Sequence, residues 1–275
     1  MSAVERILVH GRPPAVLCGH VLSYEGYRER GVVPFVMREV PRGFAVVIIG
    51  FGPPFRVGLA ERGLARATDH RSFFAGAHDR PAIVASTGGS HCLQVNLTLP
   101  AAMRMLGMPL HELTNRIVAL DDVVGEAPEL TERLWQARGW EARFDLLSAW
   151  LLARLTAAAG PAPDLEWAWD RLRRDGAPSI GGLAREIGCS RKHLTVRFHA
   201  AFGLPPSTAG QVLRFARTLR RLERDPRRGL AGLALDGGYS DQPHFNRTFQ
   251  RFAGMSPTAY LRQRLPAPGG IAESR

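Results

Sequence analysis

Two short phrases carry the most distinctive side-chain chemistry in this chain: GCSRKHLTVRF at 188–198 and GYSDQPHFNRTF at 238–249. If each is a helix entered through a glycine turn, helical rotation puts Lys192, His193, Val196 and His199 on the outward face of the first. The second then presents Pro243, His244, Arg247, Gln250 and Arg251. Cationic and hydrogen-bonding groups beside one exposed apolar side chain suit the reading of a polyanion with patterned edges. No nucleophile stands beside an evident base, so the chemistry points to recognition and not to bond breaking.

The inward-facing letters must position those groups, and they repeat. Ala184 and Gly188 recur as Ala234 and Gly238 at an offset of 50. Leu194, Phe198, Gly203 and Pro206 recur as Phe245, Phe249, Gly254 and Pro257 at 51, so the second turn holds one extra residue. Leu194, Phe198, Ala201 and Phe202 share the buried face of one copy, and Phe245, Phe249 and Phe252 that of the other. A short helix, a glycine turn and a second helix is the helix-turn-helix pattern. Gly188 and Gly238 supply the turn's left-handed backbone, and Ser190, Ser240 and Asp241 are read as helix caps. Seven helices are expected after the break GPAPD (160–164): 164–175, 180–187, 191–203, 208–224, 230–236, 242–252 and 257–264. The fourth would be about 25 Å long, a spacer able to set two units roughly one DNA turn, about 34 Å, apart. A solenoid stack is disfavoured, because two copies separated by a long helix do not make a repeat array.

The charge is lopsided in the same direction. The chain has 275 residues and a net charge of +11. Residues 164–275 carry 19 Lys plus Arg against 10 Asp plus Glu, whereas residues 1–163 carry 17 against 15. A local cationic excess attracts polyanions, nucleic acid first. Nothing at the N-terminus resembles a leader peptide and no apolar run approaches a membrane span, so the expected location is the cytoplasm, with no membrane partner. Cys18, Cys92 and Cys189 are too far apart for a disulfide framework and read as reduced thiols.

The N-terminal stretch predicts a different class. FAVVIIGF (44–51), PAIVAS (81–86) and LQVNLTL (93–99) are short apolar runs bounded by glycine and proline clusters, the pattern of a small β-barrel or sandwich. From about 100 to 160 AAMRMLG, PLHELTNRIVAL, APELTERLWQARG and WEARFDLLSAWLLARLTAA show helical spacing and predict a helical bridge. The fold class expected is therefore α+β: residues 1–160 a β-rich regulatory domain with its bridge, 164–265 an all-helical reader, and 266–275 a flexible tail. His10, Cys18, His20, His70, His78, His91 and Cys92 lack the spacing of a metal site, and no cofactor is expected. STGGS (86–90) reads as a turn. AHDRP (77–81) is an ordinary charged turn or, alternatively, a ligand-facing loop.

The segment SIGGLAREIGCSRKHLTVRFHAAFGLPPSTAGQVLRFARTLRRL, followed by LAGLALDGGYSDQPHFNRTFQRFAGMSPTAYLR, resembles the DNA-binding domain of AraC/XylS-type transcription regulators over about 100 residues. The wording G-Y-S-D-x-x-x-F-x-R-x-F and then G-x-S-P-x-x-Y is specific to that family. The resemblance implies a non-enzymatic, sequence-specific regulator of double-stranded DNA, more often an activator, with RNA polymerase as a partner and room for a homodimer. It implies base-reading positions at Arg191, Lys192, Thr195 and Val196 and at Gln242, Pro243, Asn246 and Arg247. Arg247 suits guanine, Gln242 adenine, and Val196 a thymine methyl group. Pro243 has no N–H to donate. Arg214, Arg217, Arg220, Arg221 and Arg224 on the spacer, with Arg251, are candidate phosphate contacts. Segments REVPRGFAVVIIGFG, FFAGAHDRPAIV and LTNRIVALDDVVG resemble regulators whose sensor region has no established ligand, which leaves a small-molecule effector there as an expectation. The alternative is a metal-dependent or nucleic-acid-modifying enzyme that uses the helix-turn-helix pair for targeting.

Overall fold

A computed structural model describes residues 5–31, 33–175, 178–264 and 271–272. The N-terminal half contributes β1 (Glu5–Gly11), β2 (Val21–Arg30), β3 (Phe35–Glu39), β4 (Ala45–Gly50) and β5 (Phe55–Leu59). These are followed by β6 (Thr68–His70), β7 (Phe73–Ala75), β8 (Ala82–Ser86), β9 (His91–Leu97) and, beyond a helix, β10 (Ile117–Ala119). They form two antiparallel sheets, ordered β1-β2-β9-β4-β7-β10 and β3-β8-β5-β6.

Alternation along each strand explains how the larger sheet is used on both faces. Tyr24, Val47, Ile49, Leu93, Val95 and Leu97 turn one way into a core shared with the helices. Their neighbours Tyr27, Ile48, Phe73 and Cys92 turn the other way, to meet Phe55 and Val57 of the second sheet. The helices covering the outer face are α1 (Leu99–Leu106), the short α2 (Leu120–Val123), α3 (Ala127–Gln136) and α4 (Gly139–Ala157). On α4, Phe144 stacks on Tyr24 at 5.7 Å and Ser148 Oγ lies 3.0 Å from the Tyr24 hydroxyl.

Two expectations are corrected. PLHELTNRIVAL is not a helix: Leu110–Leu113 is a single 3-10 turn and Ile117–Ala119 is edge strand β10. Asn115 adopts a left-handed backbone (φ 55°) that interrupts helical continuation, and β-branched Ile117 and Val118 pair with β7. Of the expected tail, Ile271–Ala272 forms β11, pairs antiparallel with β3 and buries Ile271 completely, while 266–270 and 273–275 lie outside the described residues.

The C-terminal helices fall where periodicity predicts them: α5 (Pro163–Asp175), α6 (Ile180–Ile187), α7 (Arg191–Phe202), α8 (Pro206–Arg224), α9 (Leu230–Asp236), α10 (Gln242–Ala253) and α11 (Pro257–Gln263). One apolar core runs without a break from Tyr24 and Leu93 through Leu110 and Leu113 to Phe198, Phe215 and Phe249. The helical reader is thus seated on the barrel.

Candidate nucleic-acid interface

Each helix-turn-helix unit is built by the same backbone device. Gly188 and Gly238 have φ of +78° and +75°. The following residue returns its N–H to the helix just ended, Cys189 to Ala184 O at 2.9 Å and Tyr239 to Ala234 O at 3.0 Å. The next helix is then capped by a side chain. Ser190 accepts from His193 N at 3.1 Å, and Asp241 accepts from His244 N at 2.6 Å. Ser240 is therefore not the cap, a correction that follows from the extra residue in the second turn. Its hydroxyl instead bonds Asp241 Oδ2 and lies 3.1 Å from His244 Nδ1.

The buried faces of α7 and α10 match the predicted anchors, with Leu194, Phe198, Phe202, Phe245, Phe249 and Phe252 all at 0% exposure. Opposite them Arg191, Lys192, His193 and Val196 on α7, and Pro243 and Arg247 on α10, are exposed. Val196, at 61% exposure, is an apolar side chain with no intramolecular reason to be there. On α7 the free half is the N-terminal half, the part that reaches base edges in this type of unit, while α10 exposes Pro243 and Arg247 and, nearer its C-terminal end, Gln250 and Arg251.

The other end of α7 is held by the N-terminal half of the chain. Thr114 Oγ1 donates to Gly203 O at 2.6 Å, His111 Nδ1 lies 3.2 Å from Ala200 O, and the His111 and His199 rings are 6.2 Å apart. His199, expected on the outward face, therefore turns toward the barrel. On α8, Arg42 grips Glu223 through two hydrogen bonds of 2.8 and 3.3 Å, and the Tyr260 hydroxyl donates to the same carboxylate at 2.5 Å. Burial opposes the charge on Glu223, but Arg42 and Tyr260 hold its carboxyl below the ordinary range.

Behind Arg42 lies a cavity of about 410 Å³ between the two sheets. Its wall is largely apolar, with Phe35, Val46, Ile48, Phe55 and Val84 contributing, and it also carries Glu25, Glu39, His78, Gln94 and Asn96. These polar residues were not singled out from sequence, apart from His78 within AHDRP. That loop does face a cavity, and its Asp79 is bracketed by Asn115 at 2.8 and 3.1 Å. Burial pushes Glu39 up to about 7 and the Cys92 thiol up to about 12. STGGS is a turn closed by the Ser86 and Ser90 hydroxyls at 2.7 Å. Among the described residues no three His, Cys, Asp or Glu side chains gather as a metal site, no two cysteines pair, and no helix is long and apolar enough to cross a membrane.

Residues 183–263 match the family model described as a helix-turn-helix domain. The C-terminal region is an AraC-type helix-turn-helix domain. The chain is accordingly a DNA-binding transcription regulator. No curated protein matches it in sequence. A crystal structure of ToxT from Vibrio cholerae aligns over 95% of this chain and 98% of its own at 8% identity, TM-score 0.51. The unsaturated fatty acid-bound form of ToxT from Vibrio cholerae strain SCE256 aligns over 100% of both chains at 9% identity, TM-score 0.50. These likenesses extend the shared fold to the barrel. The AraC-like transcriptional activator CuxR overlaps 81% of this chain and 86% of its own at 15% identity, TM-score 0.27, too loose to carry detail across.

Within the AraC-type domain the resemblance-derived positions differ in what they can offer. Arg191, Lys192, Val196, Pro243 and Arg247 are exposed and Gln242 is partly so. Thr195 donates its hydroxyl back to Arg191 O at 2.8 Å. Asn246 has its Oδ1 buried without a partner, so this side chain is turned away from an outward bidentate contact. The spacer arginines are largely engaged with backbone: Arg214 donates to Gly238 O at 3.1 Å, Arg221 to Asp236 O at 2.5 Å and Arg217 to Arg173 O at 2.9 Å. They tie α8 to the second turn and to α5. Arg251 reaches Gln211 at 2.9 Å and Asp79 of the barrel at 3.5 Å.

Proposed function

We propose that this regulator reads two successive major grooves with the N-terminal halves of α7 and α10. The supporting observation is that these two equivalent helices bury Leu194 and Phe245 completely while leaving Arg191, Lys192, Val196 and Arg247 uncovered. Arg247 is the strongest base reader, because a guanidinium can hold guanine by two hydrogen bonds worth about 1–3 kcal/mol of discrimination. Gln242 and Val196 add adenine and thymine-methyl contacts, and phosphate attraction supplies most of the affinity. The protein acts in the cytoplasm as an activator that contacts RNA polymerase, and a homodimer would double the site.

Control comes from the barrel. The cavity between the sheets holds a small, mostly apolar effector, and Arg42, which lines it, carries occupancy to Glu223 on the reader. A fatty acid-bound ToxT of the same fold is consistent with such an effector.

Selection of bound sites from a random DNA pool, followed by binding of Arg247→Ala, tests the reading. A two-part site is expected, and the variant loses about tenfold or more on it while keeping its affinity for nonspecific DNA. Equal loss on both would place Arg247 on phosphate, and a single short half-site would remove the two-groove reading.

A further inference from the structure

The polar groups of the cavity wall are unevenly matched. Arg42 is bound to Glu223, and Arg80 to Glu61 at 2.5 Å, so both cations are already neutralised by acids. The amide donors are also engaged, Gln94 Nε2 with Asn96 Oδ1 at 3.0 Å and Asn96 Nδ2 with Ser23 at 2.8 Å and Glu25 Oε1 at 3.3 Å.

What remains is a set of acceptors. Among the described residues Glu39 makes no hydrogen bond or ion pair, although it is taken out of bulk water by the barrel and its carboxyl is pushed up to about 7 by that burial. Glu25 accepts only at Oε1. His78 Nδ1 lies 2.7 Å from Gly76 O, and a carbonyl only accepts, so the proton sits on Nδ1 and Nε2 is a bare lone pair. That Nε2 is buried without a partner. Unpartnered acceptors in an apolar enclosure are costly unless a donor arrives to meet them.

We propose that the barrel cavity takes an amphipathic organic cation, with an ammonium or amidinium head at Glu39 and Glu25 and an apolar body against Phe35, Ile48, Phe55 and Val84. The inference rests on the effector reading above and narrows it. An anionic headgroup finds two carboxylates in the wall and no uncommitted cation, so a carboxylate-headed lipid is the wrong class for this chain. The head also relieves Arg42 of its electrostatic attraction to Glu39, leaving that guanidinium wholly to Glu223. Because Glu39 holds its proton near neutrality, entry of a cation expels that proton, and affinity rises with pH across 6 to 8.

Titration calorimetry of the full chain with three eight-carbon probes, n-octylammonium, n-octanoate and 1-octanol, separates the outcomes. The ammonium is expected to bind at least tenfold tighter than octanoate at pH 7.5. Glu39→Gln should lose at least tenfold of the ammonium affinity while keeping that for octanol, which reports an intact cavity. Octanoate binding as tightly as the ammonium overturns the cationic class and leaves the effector reading standing. Equal ammonium binding by wild type and Glu39→Gln removes Glu39 as the head site and overturns the proposal. No binding of any probe at millimolar concentration overturns both the proposal and the effector reading.

Discussion

Replacing Arg42 by Met should cost the whole chain about 2–3 kcal/mol of stability, and most of that loss should vanish when Glu223 is also replaced by Leu. The pair is bidentate, 2.8 Å at its shorter bond, with side-chain exposures of 26% and 15%. At an effective dielectric near 20 the gross attraction at that distance is about 6 kcal/mol, and a large part is cancelled by desolvation of both ions. Removing one partner of a fully buried pair costs roughly 3–5 kcal/mol. The figure is lower here because water reaches the rim of the pair and Tyr260 still donates to Glu223 at 2.5 Å. The double variant removes both charges together, so the cycle should return a coupling of about 2 kcal/mol. Urea unfolding of the four proteins measures it, with an unchanged slope showing that one cooperative unit is being compared. A coupling below about 0.5 kcal/mol would put the pair with ordinary surface ion pairs and refute its role as the barrel-to-reader link.

Other perturbations have definite signs. Gly188→Ala and Gly238→Ala each lose about 1–2 kcal/mol in melting or urea experiments, because the left-handed backbone penalises a Cβ that meets nothing within 4 Å. Asp241→Ala destabilises more than Ser240→Ala, and Ser190→Ala costs about 1 kcal/mol, since of these three only Asp241 and Ser190 cap a helix. His91 is pushed down to about 4 by burial and by Arg143 beside it, so the folded state binds the proton less well than the unfolded state at 6.5. Its contribution is complete above pH 6.5 and is lost as pH falls to 4, and His91→Gln flattens that limb of the stability curve. Glu39 has the opposite sign: stability falls as pH rises from 4.5 to about 7, and Glu39→Gln abolishes that fall. A 164–275 fragment stays helical by circular dichroism but melts below the full chain, because α7 loses its seat on Thr114 and His111 and β11 loses β3.

The reader was legible because its constraints are local and doubled. Leu194 and Phe198 recur as Phe245 and Phe249 at helical spacing, and each glycine turn sits within a few residues of the helix it ends. The change of offset from 50 to 51 even contained the information that Asp241, not Ser240, is the equivalent of Ser190. The barrel's strands were legible as short apolar runs such as LQVNLTL bounded by glycine and proline clusters. What Gln94 and Asn96 face was not legible. A polar face on a strand reads alike whether it meets solvent or a cavity, and the difference is made by Phe35, Val57 and Val84 on a second sheet remote in sequence. The pairing of Ile271 with Arg38 is non-local in the same way and has no signature in APGG. The pairing of Arg251 with Asp79 is also non-local, because the carboxylate lies far away in the N-terminal half of the sequence.

The two recognition helices are tied to the barrel by different groups, and this sets what an effector can do. α7 is held at its C-terminal end by Thr114 and His111, neither of which lines the cavity. The cavity reaches the reader through Arg42, on Glu223 of α8, and through the AHDRP loop, whose His78 and Arg80 line the cavity and whose Asp79 meets Arg251 of α10. An occupant shifts an equilibrium only by its difference in affinity between two arrangements, and a link of about 2 kcal/mol transmits at most roughly thirtyfold. That leverage falls on the α8–α10 side, because the groups that can feel the occupant end there. On the proposed reading the first unit is the fixed one, and the second is the unit whose placement an occupant of the barrel would bias.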